Sequence, residues 1–341
     1  MTTRAVVIAA AFAIACAAPA PIAIPPGLHE EAMAYDSSRD VFVLVGGIRE
    51  DSTDPDGYSR IPDTYEWRPT GWTHRSASAN DPTPRVLPGL AFDPRSRSLL
   101  MLGGVARARD GEPGTVKACP SCSLIRHLTD AWSYGADGWT NRRDAPPVTY
   151  PRLIFHPRRN TMLLLGNRRE RLGQDGYHPV LVWREAGQSW TVIDSAGPRT
   201  SNSPVRATLD PRRDVVVLPV LEGPDAGVWE WNETWRRIPL DSGPAMRRRY
   251  TTVYDESRGG IVLFGGSDST GRYFNDLWHW DGRRWTAIFA DSARSPMPRS
   301  DGTLFYDARN RRLVHFGGLA FGDKLLREIW TFSGGTWSRI E

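Results

Sequence analysis

Lysine is almost missing from this 341-residue chain: Lys117 and Lys324 are the only two among 43 cationic side chains. The formal net charge is only +4, and the arginines form no dense basic stripe and no helix patterned to enter a groove. Nucleic acid is therefore excluded as a partner, and the arginine excess reads as a coding preference or as a device for bidentate carboxylate recognition. Long apolar runs are also lacking. Ala5 to Ala15 is an unbroken apolar stretch, too short to span a bilayer as a helix, so no transmembrane span is expected. Cysteine is scarce, at three residues, which rules out a disulfide scaffold and a four-cysteine metal site.

The apolar stretch instead has the make-up of an export signal. A short positively charged start, Met1 to Arg4, precedes it, and the small residues Cys16-Ala17-Ala18-Pro19-Ala20 follow. Cleavage after Ala20 gives a signal peptide of residues 1–20 and a free mature protein. Cleavage before Cys16 gives a lipid-anchored one, although Ala13 stands where a lipoprotein signal usually has leucine. Either outcome implies a periplasmic or extracellular location, possible lipidation at Cys16 being the point on which the two differ. Residues 21–27 form a Pro-rich leader. The remaining cysteines, Cys119 and Cys122, are read as a disulfide in an oxidising compartment.

What is abundant is turn-forming and aromatic. There are 32 glycines, 27 prolines and 14 tryptophans, a composition suited to many short strands. Trp72, Trp139, Trp190, Trp235, Trp285 and Trp337 recur at intervals of 67, 51, 45, 50 and 52 residues. Every other tryptophan lies just upstream of one of these, as in Thr64-Tyr65-Glu66-Trp67 and Leu277-Trp278-His279-Trp280. Apolar runs ending in a glycine pair precede them: Gly46-Gly47, Gly103-Gly104, Gly265-Gly266 and Gly317-Gly318, with Gly166-Asn167 and Pro219 in the two degraded units. Earlier still in each unit an apolar strand closes on Asp36, Asp93, His156, Asp210, Asp255 or Asp307, and turn sequences such as Asp-Pro-Arg follow. Each unit thus reads strand A, turn, strand B, glycine pair, loop, strand C, tight turn, tryptophan, strand D. Four-stranded sheets that cannot bury both faces alone do so by radial packing.

In the order Pro84-Arg85 or Pro298-Arg299, aromatic-Asp, Gly-Gly, Asn275-Asp276-Leu277-Trp278 and Asp281-Gly282-Arg283-Arg284-Trp285, the chain resembles the bacterial kelch repeat. The resemblance spans residues 28–341. It implies an all-β fold, a six-bladed β-propeller of four-stranded kelch-type blades at about 28–80, 81–147, 148–200, 201–243, 244–295 and 296–341, functioning as a monomer. It also implies that strand A lines a central channel and that loops B–C and D–A share one face.

Long B–C loops at Ile48 to Pro62, Val105 to Leu128 and Arg168 to Pro179 place the expected site on blades 1–3, with much shorter loops in blades 4–6. Asp51, Asp54 and Asp56 in the first of these match no EF-hand, and no metal or cofactor is expected. Counting back from the strand A ends gives a polar channel mouth: Glu30, Glu31, Arg85, Arg152, Arg206, Arg249, Tyr250, Arg299 and Asp301. Converging arginines there suit a carboxylate or phosphate. The leading functional reading is an exported, non-catalytic module binding a protein or glycan ligand, anionic in character, through the long-loop face. The alternative is a kelch-type mutarotase or epimerase acting on an anionic sugar such as sialic acid. A copper radical oxidase is excluded, since the seven histidines are scattered and the two mature cysteines share one loop.

Overall fold

A computed structural model describes residues 25–340, apart from 55, 114, 118–122, 143, 169–175, 188, 202, 241 and 290–293; at 117 and 168 only the backbone is described. The signal segment with Cys16, most of the Pro-rich leader, and the Cys119–Cys122 pair lie outside the described residues. No described helix is long and apolar enough to cross a membrane.

Six four-stranded antiparallel sheets follow one another along the chain, each made of consecutive blade strands. Blade 1 comprises Ala32–Asp36, Val41–Val45, Thr64–Arg68 and Gly71–Arg75; blade 2 comprises Gly89–Asp93, Ser98–Leu102, Ala131–Gly135 and Gly138–Asn141. Blade 3 is Val148–His156, Thr161–Arg168, Leu181–Ala186 and Ser189–Asp194, and blade 4 is Thr208–Asp210, Val215–Val220, Gly227–Trp231 and Trp235–Ile238. Blade 5 is Thr251–Asp255, Gly260–Phe264, Leu277–Trp280 and Trp285–Phe289, and blade 6 is Thr303–Asp307, Arg312–Phe316, Ile329–Ser333 and Thr336–Arg339. The six A strands touch in sequence order, and that of blade 6 returns to that of blade 1. The result is a closed six-bladed propeller around a channel lined by the A strands.

The core is not one cluster but six, one in each wedge between neighbouring blades. Strand B explains this arrangement. Its side chains alternate between faces, and both faces are buried, so one strand feeds two wedges. In blade 1, Val41, Val43 and Val45 face blade 2 while Phe42 and Leu44 face blade 6. The strand D tryptophans sit against the preceding blade: Trp72 packs on Phe316 of blade 6 at 5.4 Å and Trp337 on Phe264 of blade 5 at 5.2 Å. Trp139 adds a hydrogen bond from Nε1 to Thr64 Oγ1 of blade 1, at 2.9 Å.

The glycine pairs are demanded by both torsion and space. Gly46 and Gly47 have φ of 67° and 100°, and the other three pairs repeat these values closely. A Cβ on Gly46 would lie 2.4 Å from the Arg85 carbonyl oxygen of the next blade, closer than any side chain tolerates. That approach lets Gly47 N–H donate to the Arg85 carbonyl at 3.0 Å; Gly266 and Gly318 reach Arg299 and Leu28 in the same way, at 2.8 and 2.9 Å.

Candidate functional site at the channel mouth

Counted back from the strand-ending Asp or His, the residues anticipated at the mouth occupy different depths. Arg85 and Arg299 stand eight residues back, as does Arg247, and all three are almost fully buried. Each guanidinium forms the same clamp. Nε donates to a carbonyl two residues earlier, one terminal nitrogen donates to the carbonyl of the first glycine of the pair, and an acid just ahead of strand C takes the rest. Arg85 holds both oxygens of Asp130 at 2.6 and 2.7 Å, Arg247 holds Asp276, and Arg299 lies 3.0 Å from Glu328. These arginines are spent on the scaffold and do not reach the mouth. Tyr250 is likewise buried, its hydroxyl donating to the Pro219 carbonyl.

Six residues back stand Glu30, Leu87, Tyr150, Pro204, Arg249 and Asp301. Five of these have positive φ, between 49° and 61°; the sixth is proline, whose ring forbids it. The left-handed kink turns the chain over the rim at the entry to strand A. Leu87 N–H donates to the Glu30 carbonyl at 2.8 Å and Asp301 N–H to the Arg249 carbonyl at 2.9 Å. Neighbouring kinks are thereby tied across blades. Non-glycine residues in this region are costly and tend to mark sites where structure over-determines the backbone.

Below the rim lies a cavity of about 530 Å³ formed by all six A strands, with Glu31, Tyr150, Arg152, Arg206 and Thr303 among its lining. The charged groups are arranged in a chain. Arg249 lies 3.0 Å from Asp301 and 4.0 Å from Glu30, and Arg206 approaches Asp301 at 3.4 Å. Asp301 holds the Arg249 guanidinium above its usual range. Glu30 is pushed up to about 7 by burial and by the Asp301 charge. Glu31 is also raised to about 7, chiefly by burial; Thr303 donates to its Oε1 at 2.9 Å, while Oε2 is buried without a hydrogen-bond partner among the described residues.

Arg152 stands apart from the chain. Its Nε donates to the Ala207 carbonyl at 2.8 Å, and no carboxylate among the described residues pairs with it. Burial, assisted by the Arg206 charge, lowers it to about 10, so it stays a cation at neutral pH. The structure thus brings together Glu30, Glu31, Arg152, Arg206, Arg249 and Asp301, and separates Arg85, Arg299 and Tyr250 from them. Tyr150 was not anticipated; the fixed six-residue count from His156 picks it out.

The loop face differs from the expectation in one respect. Blade 4 alone has a minimal B–C connection, whereas Ser267 of blade 5 bridges to Arg248 and Tyr273, and Leu319–Ala320 of blade 6 pairs with both Arg299–Ser300 and Lys324–Leu325. The rim is therefore built up on both sides. In blade 1, Asp54 and Asp56 ion-pair with Arg107 of the blade 2 loop, and Asp51 accepts from the N–H and hydroxyl of Thr53.

No protein-family model and no curated protein matches the sequence. Among solved structures, that of YjhT from E. coli is similar over 93% of this chain and 98% of its own, with a TM-score of 0.63 at 13% identity. An acylaminoacyl peptidase from Pyrococcus horikoshii matches at 10% identity and a TM-score of 0.47, covering 92% of this chain and 52% of its own; that likeness carries no weight. Repeat, sheet topology and structural similarity agree, and the chain has the fold of the kelch-repeat β-propellers.

Proposed function

We propose that the channel mouth binds a small acidic sugar and speeds the opening and closing of its ring. This is the reaction class of the kelch-type sialic acid mutarotases, of which YjhT is one. The observation that carries the reading is Arg152, a half-buried cation without a carboxylate partner among the described residues, in a cavity shared with Glu31, a carboxyl that burial pushes up to about 7. A cation drawn partly out of water without a counter-ion carries a desolvation cost, and a ligand carboxylate relieves that cost through charge-assisted, bidentate contacts.

Mutarotation needs a proton taken from the anomeric hydroxyl and a proton given to the ring oxygen. The ring C–O bond breaks as the carbonyl forms, and reclosure on either face reverses both transfers. Glu31 is suited to these transfers, since an acid–base group works best with a pKa near the working pH. Glu30, tied to Arg249 and neighbouring Asp301, supplies the second carboxyl. Arg152 and Arg206 orient the sugar's carboxylate.

The test is the anomer equilibration of freshly dissolved N-acetylneuraminic acid, followed by proton NMR. The wild-type protein accelerates it. Glu31→Gln lowers kcat by at least about 100-fold, consistent with general acid–base catalysis, and Arg152→Ala raises KM about tenfold or more with a smaller effect on kcat. Binding of the sugar without acceleration would return the protein to the class of non-catalytic glycan-binding modules, and absence of both would refute an anionic-sugar site.

A further inference from the structure

Between blades 2 and 3 the propeller leaves a wedge unfilled that it closes elsewhere. In five blades the strand D tryptophan is paired across the C–D hairpin with a buried aromatic: Trp67 with Trp72, Tyr134 with Trp139, Trp231 with Trp235, Trp280 with Trp285, and Phe332 with Trp337. In blade 3 the partner of Trp190 is Glu185. Two neighbouring positions have shrunk with it. In the wedge between blades 1 and 2, Arg39 lies over the Tyr134 ring at 5.0 Å and is held by Glu66, which also accepts from the Tyr134 hydroxyl. Arg159 and Arg258 cover Trp231 and Phe332 in the same manner. Their counterparts between blades 2 and 3 are Ser96, three residues after Asp93, and Ser133 in place of Glu66. At one place the ring is replaced by a carboxylate, and the guanidinium and carboxylate of the sister wedge by hydroxyls.

The space they leave is a cavity of about 390 Å³, walled on one side by Leu100, Leu102, Ala131 and Trp190 and otherwise by polar side chains, among them Ser133, Asn141 and Asp144. Asp93 and Glu185 at its edge share one cation: Arg95 binds both oxygens of Asp93 and also Glu185. Arg142 enters from strand D of blade 2, its Nε donating to the Ser133 hydroxyl at 2.9 Å. The pocket has a volume in the usual ligand range, one apolar side that includes the Trp190 ring and an otherwise polar, partly charged lining, and it occupies the place that an aromatic ring fills in each sister wedge. We infer that this inter-blade pocket is a second binding site, distinct from the channel, for a small planar aromatic molecule of indole size. The ligand stacks on or against Trp190 and directs its polar edge to the serine hydroxyls.

Indole is the probe. Isothermal titration of the full-length protein is expected to show one-to-one saturable binding, and a crystal soak to show the ring beside Trp190. Glu185→Trp restores the missing aromatic and is expected to weaken indole binding at least tenfold. Ser133→Leu fills the same space from blade 2 and guards against a misfolded first variant. Arg152→Ala, in the channel, leaves indole affinity unchanged. Failure of the wild-type protein to bind indole up to its solubility limit overturns the inference, as does binding that survives both pocket-filling variants. A higher melting temperature in Glu185→Trp, with no indole binding by the wild type, would assign the cavity to imperfect packing alone.

Discussion

Replacing Glu31 with glutamine separates the cost of a buried acid from its use. Burial raises this carboxyl from 4.5 to about 7, and at about 1.4 kcal/mol per pKa unit the shift corresponds to a destabilisation of about 3 kcal/mol once the group is ionised. The sign follows from proton counting. Below pH 4.5 both folded and unfolded chains carry the proton and nothing is lost. Between pH 4.5 and about 7 the unfolded chain ionises first, so the folded state loses stability as pH rises. Above that range the full penalty is present. The glutamine side chain of the variant is neutral throughout and keeps an acceptor for the Thr303 hydroxyl. Thermal unfolding of both proteins between about pH 4 and 8.5 is therefore expected to give nearly coincident melting temperatures at the acid end. By about pH 8 the variant should melt higher by a few degrees, given the modest shift per kcal/mol expected for a domain of this size. The difference between the two curves isolates this residue from all others that titrate. Parallel curves, or a variant less stable than wild type at the alkaline end, would refute the reasoning that burial dominates the Glu31 environment.

Arg85→Ala removes one complete clamp and leaves Asp130 without its cation, with the Trp132 indole N–H still donating to it, so a loss of about 3 kcal/mol is expected in denaturant unfolding, with sugar mutarotation at permissive temperature unchanged. Arg247→Ala is expected to behave in the same way, because it makes the same contacts in blade 5; a selective loss of activity in either would place the clamp arginines in the site. Gly46→Ala forces a Cβ against the Arg85 carbonyl at positive φ and is expected to lower the melting temperature, whereas Gly57→Ala, with open space around it but the same sign of φ, should cost only about 1 kcal/mol. Equal effects from the two would show that torsion, not blade contact, decides.

The tryptophan register and the glycine pairs made the fold legible because their causes are local and repeated: a hairpin residue that must fill a wedge, and a backbone that must pass within touching distance of its neighbour. The mouth was only half legible. Arg247, Arg248 and Arg249 are consecutive, and composition cannot say which of them carries the clamp and which reaches the rim. Measured from Asp255, Arg247 shares the count of Arg85 and Arg299, and Arg249 that of Glu30 and Asp301. The left-handed kinks are invisible in residue type, since Glu30, Leu87, Tyr150, Arg249 and Asp301 have nothing in common as side chains. What they share is a distance from the strand end, together with a backbone hydrogen bond to the neighbouring blade at Leu87 and Asp301. Glu185 was hidden for the opposite reason: a missing aromatic leaves no mark until the other five are aligned in space.

The ring closes by the packing of blade 6 on blade 1, where no peptide link joins the two blades directly. That junction holds six buried aromatic rings, from Phe42, Tyr65, Trp67, Trp72, Phe305 and Phe316. It is crossed by Gly318 N–H to the Leu28 carbonyl and by the Thr303 hydroxyl to Glu31. Seen as a washer with one cut, the protein depends on this seam for its circular form, and the entropy of bringing together ends separated by nearly the whole chain is recovered there. The Glu31 carboxylate lies on the cut itself. A proton arriving at that carboxyl therefore acts on the latch of the ring as well as on whatever occupies the channel, so closure of the washer and the state of its mouth are bound to vary together with pH.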